Sequence, residues 1–371
     1  MKSAQIDTME NVVDSLLDNH DPVDNTLGLT IGGFSLQVRS TSQALLNRLR
    51  HYFSNIVTKP TPGGLEIIAI ESDPVELDLD FIDWPREPGK IGRKDSYVDL
   101  ADCRIVRKVR TGMVFIQSKT LGIAAGPCMK NENQLVNFIN TQYMTWLQQN
   151  NWLICHASGL VFKDKTYAFA GFSGGGKSTL MLHLLNYTDA DYLTNDRLFM
   201  RAEDDYINAA GIPKLPRINP GTIVHNPRLH GLITKQEREG FLAMSQEELW
   251  QLEDKYDVFI DEVYGANRIA SSAPLEALII LNWQHASKLN LTVERIKLAE
   301  RYDLLDAVMK SPGPFYQYPD GHFNRGASLL PGQAYLDVLE NIKVYEVKGG
   351  VDFDKLNRYC QTEIFGSDDG T

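Results

Sequence analysis

A glycine-rich stretch, GFSGGGKSTL, contains the residues whose types and spacing most clearly predict chemistry. Gly171, Gly176, Lys177 and Ser178 match the phosphate-loop pattern G-x-x-x-x-G-K-[ST]. A short apolar run at 167–170 precedes the stretch and a helix-forming run follows it, so the required strand, turn and helix are predicted in the right order. The stretch therefore predicts a site for the phosphates of a nucleotide.

Each residue type in this stretch suits the binding of an anion. Glycines lack a Cβ, so the backbone can turn successive N–H groups toward one phosphate, and the following helix adds its N-terminal partial positive charge. Lys177 is expected to reach the β- and γ-phosphates, and the Ser178 hydroxyl is expected to bind Mg²⁺. The residues predicted to contact the nucleotide are Gly171, Ser173, Gly174, Gly175, Gly176, Lys177, Ser178 and Thr179. A nucleotide and Mg²⁺ are therefore the expected ligands of this stretch.

Two acidic segments are candidates for the second protein ligand of the metal ion. Asp196 lies 19 residues after Lys177, at the end of a predicted strand. Asp261 and Glu262 end another predicted strand, at 256–260. In an ordinary NTPase, Asp261 would bind the metal and Glu262 would polarise water. The sequence does not decide which segment supplies the main carboxylate ligand of the metal ion. Asp196 and Asp261 are therefore both candidates for the metal site, together with Ser178.

A proline-containing stretch, GIPKLPRINPGT, is the second unusual part of the chain. Its three prolines stiffen the backbone, and Lys214 and Arg217 project from it. Phosphoryl transfer requires positive charge near the transferred group, and an arginine of the same chain is a recurring source of it. Lys214 and Arg217 are therefore candidates for contacts with phosphate or acceptor.

The order of three features resembles the HPr kinase/phosphorylase family and its HPr serine kinase-like relatives. His156 lies 21 residues before Lys177, the glycine-rich stretch follows, and the segment YLTND ends at Asp196. The resemblance covers roughly residues 152–285. It implies a mixed-sheet phosphate-loop domain similar to phosphoenolpyruvate carboxykinase, with Asp196 as general base or metal ligand and His156 near the γ-phosphate or the acceptor hydroxyl.

The resemblance also implies a kinase activity, and this chain departs from the family pattern at one residue. We expect an ATP-dependent kinase that transfers the γ-phosphoryl group to a hydroxyl acceptor, with a serine of a small partner protein as the first choice. Asn195 stands where the family usually has a second aspartate, so the sequence leaves open whether a reverse phosphorylase reaction occurs. The alternatives are a nucleotide-hydrolysing switch or assembly factor that uses Asp261 and Glu262, a small-molecule kinase, and a nucleotide-binding regulator without activity.

The pattern of strands and helices predicts an α/β (α+β) fold with two domains. The predicted segments are a leader at 1–26 that is either a short helix or disordered, an α+β domain at 27–130, a linking helix at 131–151, the nucleotide domain at 152–360 and a disordered tail at 361–371. The α+β domain shows no catalytic constellation, so recognition of a partner or substrate is the role expected for it.

Composition narrows the class of protein further. The net charge of −11, from 37 basic and 48 acidic residues, disfavours a general binder of nucleic acid or of anionic membranes. The four cysteines form no C-x-x-C pair, so neither a zinc ribbon nor a disulfide framework is predicted. No long apolar run or signal-peptide pattern occurs, so a cytoplasmic protein is expected. The oligomeric state is left open, and a homo-oligomer is compatible with the sequence.

Overall fold

The structure is a computed structural model that describes residues 8–17, 21–85, 92–172, 174–187, 189–252, 254–284, 287–326 and 331–366. The chain forms two compact units, Met1–Asn150 with Ser311–Leu329, and Asn151–Lys310 with Leu330–Thr371. Each unit combines a mixed β-sheet with α-helices. The expected mixed α/β class is therefore confirmed.

The first unit is built on one large sheet. Its elements are α1 Met9–Leu17, β1 Leu27–Ile31, β2 Phe34–Ser40, α2 Gln43–Tyr52, a 3₁₀ turn Ser54–Ile56, β3 Val57–Thr58, β4 Leu65–Glu71, β5 Ile82–Asp83, β6 Asp95–Asp99, β7 Arg104–Lys108, β8 Val114–Gln117, β9 Leu121–Gly126 and α3 Glu132–Gln149. The strand order is β3-β1-β2-β4-β9-β8-β7-β6-β5. Strand β4 pairs in parallel with β2 and β9, and the other neighbours are antiparallel.

Helix α3 belongs to the core of this first unit. Its apolar stripe, which includes Leu135, Phe138 and Ile139, packs in the same hydrophobic cluster as Phe315 of the returning segment Ser311–Leu329. The helix predicted at 131–151 as a link between domains is thus an integral part of one domain, because its apolar face is covered there. The assignment of residues 311–329 to the nucleotide domain was also wrong.

The described residues at both ends of the chain are ordered. In α1, Val12 and Val13 pack into a hydrophobic cluster with sheet residues, so the leader takes its helical alternative over Met9–Leu17. At the other end a π-helical turn, Cys360–Ile364, follows the last α-helix, and Ile364 and Phe365 are buried. The predicted tail is therefore ordered as far as residue 366, because apolar side chains anchor it, and residues 367–371 lie outside the described residues.

The second unit contains the glycine-rich stretch. Its strands are β10 Leu153–Cys155, β11 Ala157–Phe162, β12 Lys165–Gly171, β13 Asp191–Thr194, β14 Leu198–Ala202, β15 Ile207–Gly211, β16 Arg217–Ile218, β17 Tyr256–Asp257, β18 Ser272–Leu281, β19 Thr292–Ile296 and β20 Lys343–Lys348. Its helices are α4 Lys177–Tyr187, α5 Pro220–Val224, α6 Lys235–Leu242, α7 Gln246–Gln251, α8 Ile260–Tyr264, α9 Gly332–Leu339 and α10 Phe353–Tyr359, with 3₁₀ turns Pro227–Leu232, Leu298–Glu300 and Tyr302–Ala307.

The sheet of the second unit places the glycine-rich stretch beside its most apolar strand. The strand order is β10-β14-β15-β18-β12-β11-β13, and β20 pairs with β18 and β19. Strand β18 is parallel to β12 and β20, with Gly171 opposite Leu281, and the other pairings are antiparallel. Hydrophobic clusters containing alternate residues of β18, such as Ile279 and Ile280, cover its two faces. The end of β12, where the glycine-rich stretch begins, therefore lies beside a strand that is packed on both faces.

One predicted strand is wrong. Of residues 256–260, only Tyr256–Asp257 form a strand, which pairs with Arg217–Ile218, and α8 begins at Ile260. Val258 and Ile260 are buried, and so short an apolar run is compatible with either a strand or a helix. Asp261 and Glu262 occupy the first turn of α8, where negative charge is favourable to the helix dipole. They consequently do not end a strand.

Candidate active site

The glycine-rich stretch, hereafter the glycine loop (residues 171–178), joins β12 to α4. Gly174 and Gly176 have φ values of +77° and +83°, in a region that L-residues rarely adopt. A Cβ on Gly176 would lie 2.5 Å from Cζ of Phe353. Both the backbone conformation and the close packing therefore require glycine at position 176. Ser173, predicted to contact the nucleotide, lies outside the described residues.

Hydrogen bonds within the loop and from Trp283 and Ser158 support the backbone of the glycine loop. Trp283 Nε1 donates to the carbonyl oxygen of Gly175 at 2.8 Å, and the Gly175 N–H donates to Phe172 O at 3.0 Å. The buried hydroxyl of Ser158, on β11, donates to Lys177 O at 3.2 Å. These hydrogen bonds therefore support the backbone conformation of the loop.

A cavity of about 1100 Å³ opens beside the glycine loop and α4. It is lined by His156, 174–179, His183, Asn195, Asp196, Lys214, 217–219, Gly221, Thr222, His225, Leu249, Lys255 and 351–354. Most of the predicted site residues therefore meet in one cavity. Of those described, Gly171 and Asp261 are not part of its lining.

His156 and Asp196 form the acidic and basic pair of this cavity. His156 Nε2 lies 3.2 Å from Asp196 Oδ1, and Arg197 Nη1 lies 3.4 Å from Asp196 Oδ2. Burial alone would raise the pKa of Asp196, but Arg197, His156 and Lys214 together hold it well below its ordinary value of 3.8. Burial lowers the pKa of His156 despite its hydrogen bond with Asp196. At neutral pH the pair therefore consists of a carboxylate and a neutral imidazole.

Lys177 is buried at the start of α4, and its Nζ donates to Gly171 O at 2.9 Å. Burial lowers the pKa of Lys177 to about 8, an effect that Asp196 opposes and that Lys310 and Arg197 reinforce. A buried ammonium group of this kind is favoured by an added anion. Lys177 is therefore placed where a phosphate group would stabilise its charge.

Two further cations come from the proline-containing segment. Arg217 Nε lies 3.1 Å from Asp257 Oδ1, an ion pair by distance, and burial raises the pKa of Asp257 against the influence of Arg217 and Lys214. Burial lowers the pKa of Lys214, with Asp196 acting in the opposite sense. Lys214 and Arg217 therefore add positive charge to the side of the cavity that contains Asp196.

Asp261 lies in α8 and does not line the cavity. Its Oδ1 accepts a hydrogen bond from the backbone N–H of Arg268 at 3.3 Å. Of the two acidic segments, only the one ending at Asp196 lines the cavity. Asn195, beside it, also lines the cavity, and its Oδ1 has no hydrogen-bond partner among the described residues.

Some cavity residues were not singled out from the sequence. His183 stands four residues after Thr179 on α4, so helical spacing could have placed both on one face. Thr222, whose Oγ1 lies 2.8 Å from Thr179 Oγ1, and Phe353 are separated from the glycine loop by long stretches of chain. No local sequence signal indicates either of the last two.

Comparisons with known proteins give a distant structural similarity. No protein-family model and no curated protein matches the sequence. Among solved structures, the Hpr(Ser) kinase/phosphatase from Coxiella burnetii matches with 12% identity, 58% of this chain and 94% of that chain covered, and a TM-score of 0.29. So low a TM-score says nothing about the chemistry of the cavity, which depends on the residues described above. Among the described residues, no helix has both the length and the apolar character required to cross a membrane.

Proposed function

We propose that the second unit is an ATP- and Mg²⁺-dependent phosphotransferase that moves the γ-phosphoryl group of ATP to a hydroxyl acceptor. One observation carries the proposal: a single cavity is lined by the glycine loop with Lys177 and by the His156–Asp196 pair. A glycine loop alone would support nucleotide binding only. The pair adds a group that can accept the proton of an attacking hydroxyl.

The residues present fit a nucleotide with its magnesium ion. The glycine loop and Lys177 would hold the phosphates, as nests of backbone N–H groups do. Ser178, Asn195 and Asp196 line the same cavity and offer the oxygen ligands that Mg²⁺ prefers, and Asn195 Oδ1 is an acceptor without a partner among the described residues. When bound, Mg²⁺ would neutralise charge on the phosphates.

The transfer step can be written with this chain's own side chains. The acceptor oxygen forms a bond to the γ-phosphorus as the bond from that phosphorus to the β–γ bridging oxygen breaks, and ADP leaves. Either the Asp196 carboxylate or the neutral His156 imidazole takes the hydroxyl proton. Lys214 and Arg217 would stabilise the negative charge on the transferred group. The cavity thus contains a group for each requirement of the step.

For the acceptor we propose a serine of a partner protein, with a small-molecule hydroxyl as the alternative. The alternative of an NTPase that uses Asp261 and Glu262 loses its support, because Asp261 is bonded within the α8 region and lies outside the cavity lining. Protein and small-molecule acceptors both require the same cavity, so they differ only in what receives the phosphoryl group.

Incubation with γ-labelled ATP, with and without cell extract, tests the proposed function. Label on a protein supports the proposal as stated, and label on a small molecule supports phosphotransfer with the alternative acceptor. Label found only as free phosphate, in the presence of extract, would point to hydrolysis and contradict phosphotransfer. Lys177→Ala serves as the matched control, since the label that depends on the added parent protein should be absent with this variant.

A further inference from the structure

The cavity continues from the glycine loop along one face of α4. Thr179 and His183 both line it, and their spacing of four residues places them on the same helical face. Four residues advance a helix by about 6 Å. The cavity therefore offers space along this face, from the glycine loop to His183, for the nucleoside of a nucleotide whose phosphates lie in the loop.

His183 is a buried polar residue without a hydrogen-bond partner. Its side chain belongs to a residue that is only 8% exposed, and neither Nδ1 nor Nε2 is hydrogen-bonded to any described residue. Nearly all buried polar groups in proteins have a partner, so an unpaired one at a cavity wall needs an explanation. Burial lowers the pKa of His183, with Asp354 acting in the opposite sense and His225 reinforcing it. The neutral ring offers one N–H donor and one acceptor lone pair.

Phe353 forms an aromatic surface next to His183. The two rings stack with centroids 6.0 Å apart, and Phe353 also makes an edge contact with Trp283 at 5.0 Å. Phe353 lines the cavity and is half-buried. Planar bases stack on such aromatic rings whatever their identity, because every base has a π-face. The wall therefore combines a stacking surface with an unsatisfied donor and acceptor.

We infer that His183 and Phe353 form the subsite for the nucleobase of the bound nucleotide. The base stacks on Phe353, and its edge exchanges a hydrogen bond with His183. A planar heteroaromatic ring with donors and acceptors on its edge is the ligand class that this pair of residues matches. The inference rests on the proposed function in one respect, namely that the phosphates lie in the glycine loop.

Comparison of ATP with tripolyphosphate tests the subsite, because tripolyphosphate has the phosphates but no base. Calorimetric titration would measure the Kd of each Mg²⁺ complex for the parent protein, His183→Leu and Phe353→Leu. Each variant should weaken ATP binding about tenfold, equivalent to one hydrogen bond or stacking contact, and change tripolyphosphate binding less than about twofold. His322→Gln, in the first unit, is the control for the loss of a histidine elsewhere.

The outcomes separate this inference from the proposed function. Equal losses for ATP and tripolyphosphate, or no loss for either, would overturn the base subsite while leaving the phosphate site intact. If the parent protein binds neither compound, the proposed function fails and the inference fails with it. Thermal unfolding of unliganded His183→Leu gives an independent readout. An unpaired ligand-binding histidine predicts an unchanged or higher Tm, whereas a markedly lower Tm would show a purely structural role and overturn the inference.

Discussion

At the scale of single residues, the buried charge of Lys177 favours the binding of an anion in the cavity. Its ammonium group is buried, and its Nζ donates a hydrogen bond to the carbonyl oxygen of Gly171. Burial lowers the pKa of Lys177 to about 8, which means that the unliganded fold holds this charge at a cost. The same charge becomes favourable when a phosphate group approaches it. Function and stability are therefore opposed at this residue.

Replacement of Lys177 with Met is expected to separate binding from stability. Lys177→Met should abolish detectable ATP binding, because the charge that contacts the phosphates is lost. It should also raise the free energy of unfolding of the unliganded protein by about 1–2 kcal/mol at pH 7, because an unfavourable buried charge is removed. Calorimetry and thermal unfolding of the same sample measure both quantities. A lower Tm together with lost binding would contradict this account, since it would indicate misfolding.

The pH dependence of nucleotide binding should follow Lys177. Because its pKa in the free protein is about 8, Lys177 is charged at pH 7 and mostly neutral at pH 9. ATP favours the charged form, so the Kd for ATP, measured in EDTA to exclude metal effects, should be about tenfold higher at pH 9 than at pH 7. Lys177→Arg, whose side chain stays charged, should show a flat profile over this range. An equally steep profile in that variant would assign the titration to another group.

At the scale of elements, the connection from β12 through the glycine loop to α4 is fixed by backbone conformation and by packing. Gly176 has a positive φ of +83° and lies against Phe353 of α10. The loop also bonds to Trp283, which follows β18, and to Ser158 of β11. Three separate parts of the chain therefore contact the backbone that is proposed to bind phosphate. A substitution that changes the backbone conformation at Gly176 should therefore lower the affinity for phosphate.

Substitution of Gly176 tests this rigidity. Gly176→Ala should destabilise the protein by about 1–2 kcal/mol, because an L-residue is strained at this φ, and it should weaken ATP binding as well. Gly240→Ala, on α6, is the matched control: a Cβ there would meet nothing within 4 Å, and alanine should stabilise the helix by about 0.5–1 kcal/mol. Chemical denaturation and calorimetry give the two quantities. Parent-like ATP affinity in Gly176→Ala would contradict the proposed role of the loop backbone.

The sequence was informative about elements where local signals are strong. The strand, glycine loop and helix at 165–187 were predicted because glycine positions and apolar runs are local properties. The segment Tyr256–Ile260 was assigned wrongly because its apolar run is too short to separate a strand from a helix. Phe353 was missed because only tertiary folding brings α10 to the loop. The part of the site that the sequence could not show thus depends on contacts between distant elements.

At the scale of the whole molecule, all residues of the proposed site belong to the second unit. The first unit has its own buried charge. Arg104 is fully buried, pairs with Asp99 at 2.6 Å, and donates to the carbonyl oxygens of Pro314 and Asn324 in the returning segment. Its guanidinium group also lies 4.3 Å from the centroid of the Tyr97 ring. No local sequence pattern indicates this return, because its contacts with Arg104 join residues more than 200 positions apart.

Removal of Arg104 should therefore affect stability and leave the proposed site unaffected. Arg104→Ala should lower the free energy of unfolding by about 3 kcal/mol, because carbonyl groups and Asp99 lose a buried partner. Arg325 makes a longer ion pair of 3.5 Å with the same Asp99 but is exposed, so Arg325→Ala should cost less than about 1 kcal/mol. Denaturant titration measures both variants. An altered Kd for ATP in Arg104→Ala below its unfolding transition would contradict a site confined to the second unit.

The central claim, that the cavity performs phosphoryl transfer through the His156–Asp196 pair, is tested most directly by Asp196→Asn. The measurement is the rate of γ-phosphoryl transfer at saturating Mg·ATP, with the Kd for ATP in EDTA determined alongside and Asp261→Asn as the control on the other acidic segment. The account predicts that Asp196→Asn lowers the transfer rate by about 10²–10⁴-fold while ATP binding persists, and that Asp261→Asn transfers at the parent rate. Transfer at the parent rate in Asp196→Asn, or its loss in Asp261→Asn alone, would contradict the account.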